Sequence, residues 1–221
     1  MKTNQELQTD VQNAIKWEPL LNAAEIGVTA KDGVVSLTGV VDSYPKKIEA
    51  EKAAKKVIGV KVLVEKIEVK FPGTWTKTNA EIANEVIAGL KSNWSVPNDK
   101  VTAKVEDGWV TLEGELTWNF QKDAAESSVK YLIGVKGVTN NITIKSESHN
   151  AIEQKDVENA ISRTWTMNDN DINVKVAGTT VTLSGTVPSW YQKEEAERIA
   201  WKTPGIWNVK NDLTVDYYYD D

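Results

Sequence analysis

The 221-residue chain has no cysteine, a single histidine, and no uninterrupted apolar run long enough to span a bilayer. Without thiols it forms neither disulfides nor zinc–thiolate sites. The lone imidazole, His149, has no evident nucleophile beside it, so the usual nucleophile–base pairs lack candidates. There is no Gly-x-Gly-x-x-Gly or Walker segment, which removes the common phosphate cradles. Asp169 and Asp171, within Met167 to Asp171, sit at calcium-loop spacing, but the glycine and the closing glutamate that such a loop requires are missing. The opening stretch, Met1 to Trp17, shows no apolar core of a secretory leader. A cytoplasmic location is the expectation, or a periplasmic one for a chain whose leader has been removed.

Basic side chains are outnumbered overall, 26 against 32 acidic ones, and increasingly so along the chain. Residues 1–74 carry 11 lysines against 10 carboxylates, and residues 75–148 carry 8 against 10. Residues 149–221 carry 7 basic side chains against 12 acidic ones. Nucleic acid needs a basic stripe, so this balance argues against it.

What the chain does have is internal repetition. Gly39 and Gly59, Gly114 and Gly134, and Gly185 and Gly205 are each 20 residues apart. The pattern steps forward by 75 residues and then by 71. Around the first glycine of each pair lie VVSLTG, WVTLEG and TVTLSG; around the second lie VIGVKVLVEKIEV, LIGVKGVTNNITI and TPGIWNVKNDLTV. The chain is three copies of one module, placed at 1–71, 77–146 and 149–218. Glycine at such positions serves turns and positive φ, so all six are read as structural.

Each copy opens with a helical pattern. Leu7, Val11, Ala14 and Ile15 share one face, and Thr3 with Glu6 and Thr78 with Glu81 fit a capping box. Copy three offers Asn150 and Glu153 at that place. Two alternating strands follow. Ile26, Val28 and Ala30 match Val101, Ala103 and Val105, and also Ile172, Val174 and Val176. Asp32-Gly33 and Asp107-Gly108 make tight hairpin turns, whereas Gly178-Thr179 predicts a different one. Val35 and Leu37, Val110 and Leu112, and Val181 and Leu183 point inward on the second strand. A second helix buries Ala50 and Ala54, Ala125 and Val129, or Ala196 and Ala200. The second glycine of the pair stops it in the left-handed conformation. A last strand closes the module with Ile67, Ile142 or Leu213 facing in. The fold class is α+β: three tandem αββαβ two-layer sandwiches, each a small three-stranded mixed sheet covered on one face by two helices.

These motifs resemble the BON domain, a family named after bacterial osmotically inducible and nodulation proteins. Its marks are a V-x-L-x-G hairpin end, an Ala-rich helix, then Gly-Val and a short N-x-L/I-x-V strand. Here they read Val35 to Gly39, Val110 to Gly114 and Val181 to Gly185, with Asn140-Asn141-Ile142 and Asn211-Asp212-Leu213 later. Copy one departs at Glu65-Lys66-Ile67. The resemblance implies a non-enzymatic binding module of osmotic or envelope stress, without a cofactor. It implies a phospholipid surface or a protein client as partner, in some members with a chaperone-like role.

Several residues are candidates for such contacts. Lys46, Lys47, Lys52, Lys55 and Lys56 give the second helix of copy one a basic face suited to anionic lipid or an acidic partner, although Glu49 and Glu51 offset it. Trp109 falls outward on the open sheet face, where a partner, a sugar or a neighbouring domain would meet it; Trp201 and Trp207 are candidates for the same role. Trp94 and Trp165, just after the first helix, read as core or rim plugs, while Trp118 and Trp190 lie near the start of the second helix. Glu51, Glu126 and Glu197 recur at one position, either as cation or partner ligands or as i,i+4 pairs such as Glu51 with Lys55 and Glu126 with Lys130. The expected function is multivalent binding by three related surfaces. The alternative is a small-ligand or ion binder, for potassium or calcium, with a site between domains. A purely structural or homo-oligomerising role is the third.

Overall fold

The computed structural model describes residues 2–73, 76–145, 154–164, 172–203 and 205–215. Trp75, His149, Asn150, Glu153, Trp165 and the stretch from Met167 to Asp171 lie outside them. The first repeat comprises α1 (Asn4–Lys16), β1 (Ile26–Lys31), β2 (Val34–Val41), α2 (Tyr44–Lys55) and β3 (Val62–Val69). The second comprises α3 (Asn79–Ser92), β4 (Val101–Glu106), β5 (Trp109–Leu116), α4 (Asn119–Val129), β6 (Gly137–Asn140) and β7 (Thr143–Ile144). The third comprises α5 (Gln154–Thr164), β8 (Ile172–Ala177), β9 (Thr180–Val187), α6 (Trp190–Ala200) and β10 (Asn208–Val215).

The helix starts follow from their caps. Thr3 Oγ1 accepts from the Glu6 backbone N–H at 3.2 Å, and the Glu6 carboxylate accepts from the Thr3 N–H at 2.7 Å. Thr78 and Glu81 repeat the arrangement. Two backbone donors without helical partners are thereby satisfied at each start.

In each sheet the second strand is central, the strand order being β1-β2-β3, β4-β5-β6 and β8-β9-β10. The first two strands form an antiparallel hairpin: Ile26 faces Gly39, Val101 faces Gly114 and Ile172 faces Gly185. Asp32 and Gly33 both have positive φ, as do Asp107 and Gly108, as a two-residue type I′ turn requires. In the third hairpin only Gly178 does. The last strand runs parallel to the central one, along β10 from Asn208 opposite Thr180 to Val215 opposite Val187. In the second repeat it is interrupted: β6 ends at Asn140, and β7 resumes with Thr143 opposite Glu115.

Gly39 and Gly114 lie inside β2 and β5 rather than after them, which corrects their reading as turn formers. Their φ values are +143° and +147°. A Cβ at either would fall onto the carbonyl oxygen of Glu25 or Lys100. The glycine lets the hairpin partner approach while the strand continues toward its parallel neighbour. Gly59, Gly134 and Gly205 have positive φ, but the second helices end four or five residues earlier, at Lys55, Val129 and Ala200. Lys130 and Trp201 cap two of them in right-handed geometry, so these glycines turn the chain toward the last strand rather than stop the helix.

The inward residues of the central strands, Val35, Leu37, Val110, Leu112, Val181 and Leu183, are fully buried. They meet the small-residue face of the second helix, where Ala125 and Ala196 let helix and sheet approach closely. The first strands alternate less sharply: Ala103 is exposed, and Val105 and Val176 are half-buried. The chain divides into two compact units. One takes residues 1–39, 49–66 and 148–221, and the other 40–48 and 67–147. Most of the first repeat thus groups with the third, while the start of α2 groups with the second.

Candidate functional site

The lysine-rich helix α2 is built with its acids close by. Lys46 Nζ lies 2.8 Å from the Asp42 carboxylate and Lys52 Nζ lies 3.7 Å from Glu49. The hydrogen bond from Lys46 holds the Asp42 carboxyl below the usual carboxylate range. Lys47 donates to the carbonyl oxygen of Ile67 at 3.0 Å. Lys56 pairs with Glu18 at 3.2 Å, and Lys55 with Glu194 of the third repeat at 2.6 Å. All five amines therefore have partners. The expected i,i+4 pair of Glu51 with Lys55 gives way to Glu194, because α6 stands within reach.

The aromatic side chains divide into three kinds. Trp109 donates from Nε1 to Thr139 Oγ1 at 2.8 Å and covers Gly137, its partner across the parallel pair. A Cβ on Gly137 would strike that indole. The outward ring is seated on its own sheet and remains 45% exposed. Trp201 caps the end of α6 and packs on the core of its own repeat. Trp207 lies just before β10, is 40% exposed, and donates its backbone N–H to Thr179.

Trp190 reaches out of its own repeat. Its Nε1 donates to the carbonyl oxygen of Lys61 at 3.0 Å. No period in the sequence marks Trp190 for this role, although an indole at a first-turn position that holds Tyr44 and Asn119 elsewhere was a usable signal.

The third kind is exposed. Trp17 follows α1 directly and is 84% exposed; Trp94 follows α3 by two residues and is 92% exposed. Trp94 is therefore no plug. The asparagine before it explains why: Asn93 turns its side chain inward to Ser128 Oγ at 2.9 Å and caps the Ser95 N–H, leaving the next residue on the outside. Leu20, on the loop that carries Trp17, is also half exposed. Most folded chains bury the bulk of an indole.

The recurrent glutamates have a structural partner. Glu126 accepts from Asn140 Nδ2 at 3.3 Å and Glu197 from Asn211 Nδ2 at 3.2 Å. The same amides donate to the carbonyl oxygens of Lys122 and Lys193, one turn earlier on the helix. Lys130, expected to pair with Glu126, lies instead 5.2 Å from the Tyr131 ring centre.

A cleft of about 310 Å³ opens at the start of α3, lined by Phe71, Lys77, Asn79, Ile82, Asp107 and Lys136 among others. Its polar groups are largely occupied. Lys77 pairs with Glu85, Asn79 accepts from the Gly108 N–H, and the helix start is closed by its own capping box. Among the described residues, no three His, Cys, Asp or Glu side chains are grouped to hold a metal ion. No described helix is long and apolar enough to cross a membrane.

Comparison with known proteins agrees with the repeat geometry. Osmotically-inducible protein Y of Escherichia coli (strain K12) is 33% identical over 134 residues, covering 57% of this chain and 64% of that protein. The match thus spans a little under two thirds of this relative. Two solved structures of CdsD, the structural protein of the Type III secretion system of Chlamydia trachomatis, are each 16% identical. One covers 97% of this chain and 98% of its own at a TM-score of 0.26; the other covers 94% and 91% at 0.24. At those scores the likeness adds nothing to the fold. The BON domain model, in contrast, matches residues 3–70, 78–146 and 150–217, so the chain belongs to the BON domain family and carries three such domains in tandem.

Proposed function

We propose that the chain is a non-enzymatic binding protein of the osmotic stress response that attaches to a phospholipid surface through more than one repeat at once. The carrying observation is the pair of indoles, Trp17 and Trp94, 84% and 92% exposed on loops that follow the first helix of their repeats. An indole combines a large apolar body with one polar N–H, and tryptophan accordingly concentrates at bilayer interfaces. Lys16 and Lys91, in the last turns of α1 and α3, sit beside these loops and suit anionic headgroups. The name of the Escherichia coli relative supports the osmotic setting. Two weak contacts on one chain raise apparent affinity through effective concentration.

Flotation of the full chain with phosphatidylglycerol-containing vesicles tests this reading. The wild type is expected to float, and Trp17→Ser/Trp94→Ser to remain at the bottom. Equal flotation of both, or of neither, refutes the bilayer reading. Failure of vesicle binding together with Trp-dependent capture of unfolded protein favours a client instead.

A further inference from the structure

We propose that the start of α6 in the third repeat is an intramolecular clasp on the basic end of α2 in the first. It holds Lys55 and Lys56 away from anionic ligands, and ionic strength loosens it. The surface is an interaction site whose resident partner is the chain's own third repeat.

Three contacts from one stretch of α6 define the clasp. Trp190 donates to the Lys61 carbonyl at 3.0 Å. Glu194, one helical turn later, pairs with Lys55 at 2.6 Å. Tyr191 places its ring 5.8 Å from Lys56 Nζ. Residues at i, i+1 and i+4 lie close together on a helix surface, so one face of α6 serves all three. Lys193 donates to the Leu213 carbonyl at 2.6 Å within its own repeat, and its ammonium lies 5.6 Å from the Trp190 ring centre, backing the indole. The charge distribution favours the arrangement, since the third repeat is the acidic end of the chain and the first is near balance.

The clasp also borders an exposed indole. Lys56 bonds to Glu18 at 3.2 Å, and Glu18 follows Trp17 in the chain. Glu18 and Glu194 thus engage, with carboxylates, the two amines at the C-terminal end of α2, Lys55 in its last turn and Lys56 just beyond it.

The ion pair is reachable by solvent ions, with side-chain exposures of 27% for Lys55 and 50% for Glu194. Such pairs are weak and screened by salt, the Debye length falling from about 8 Å at physiological ionic strength to about 3 Å at 1 M. The cation–π contact loses strength in the same way, whereas the Trp190 hydrogen bond is neutral. Salt therefore weakens the two charged contacts and leaves the Trp190 bond of the three. The docking stands on geometry alone; the shielding of Lys55 and Lys56 rests on the lipid-binding reading.

Zero-length carbodiimide cross-linking of the full chain tests the docking. Mass spectrometry is expected to find a Lys55–Glu194 amide link at low salt. Its yield per chain should fall about two- to fivefold between low salt and 1 M salt, the factor that loss of one exposed pair produces. Absence of the link at low salt, or a yield that does not fall at 1 M salt, overturns the clasp. For shielding, Glu194→Gln is expected to bind phosphatidylglycerol vesicles about two- to fivefold more tightly than wild type at low salt. Equal binding overturns shielding while the cross-link still decides docking. If neither chain binds vesicles, the lipid reading falls, and shielding falls with it.

Discussion

The indole N–H of Trp190 donates to the carbonyl oxygen of Lys61, joining residues 129 positions apart and tying the third repeat to the first. Trp190 opens α6 at the register position that Tyr44 holds in α2 and Asn119 in α4. Tyr44 packs against the buried cluster of the second repeat, and Asn119 donates to Asp123 of its own helix at 3.2 Å. One position of the module, at the first turn of its second helix, thus serves contacts between repeats twice and a local bond once.

Trp190→Phe keeps most of the ring and deletes the donor. It is expected to lower the denaturant-unfolding free energy of the third repeat by about 1 kcal/mol, the net worth of a neutral hydrogen bond. A stability equal to wild type would show that the bond contributes nothing.

Asn140 and Asn211 explain why an asparagine stands in the last strand of these repeats. Each amide bridges a helix carbonyl and the recurrent glutamate, while each Oδ1 accepts from a backbone N–H two residues on, that of Ile142 or Leu213. Asn211→Ala removes all three bonds at once and leaves half-buried groups without partners. A loss of about 1–3 kcal/mol is expected in chemical denaturation. The first repeat holds Glu65 at this place and is not expected to require an amide.

The module itself was legible because period and punctuation agreed: alternating valines, Asp-Gly turns and an alanine-faced helix specify hairpin, core and repeat together, while the paired glycines mark the register of the repeats. The sites were less legible. The amphipathic phase put Trp109 outside correctly, but Gly137 on the next strand supplies the surface it covers, and a strand pairing is not written in local sequence. Trp94 read as a core or rim plug because it shares its position after the first helix with Trp165, and the inward turn of Asn93 places it outside instead. The offset of the α2 lysines by Glu49 was legible, but the partners of Lys55 and Lys56, Glu194 and Glu18, are distant in sequence.

Gly114→Ala should be among the most damaging single substitutions in the second repeat. The added methyl meets the Lys100 carbonyl, and alanine is strained at φ +147°. About 3 kcal/mol or more of lost stability is expected. A near-neutral result by thermal melting would mean that the hairpin relaxes freely at that point.

The capping boxes predict a pH dependence. Hydrogen bonds from the backbone N–H groups of Thr3 and Thr78 hold the Glu6 and Glu81 carboxyls below the ordinary value of 4.5. A depressed folded-state value means that this stabilisation is present above the unfolded value and lost as pH falls through the folded one. Glu6→Gln/Glu81→Gln should melt below wild type at neutral pH and converge with it as pH falls below the ordinary carboxylate range. A constant gap would assign the effect to side-chain shape instead of charge.

The chain's lack of cysteine makes site-specific labelling direct. Ser92→Cys, at the end of α3 beside the Trp94 loop, and Lys104→Cys, on the open sheet face, can each carry an environment-sensitive fluorophore. Titration with phosphatidylglycerol vesicles should blue-shift and brighten the label at position 92 and leave the label at position 104 unchanged. The same response at both positions, or none at either, would contradict attachment through the exposed tryptophan loops.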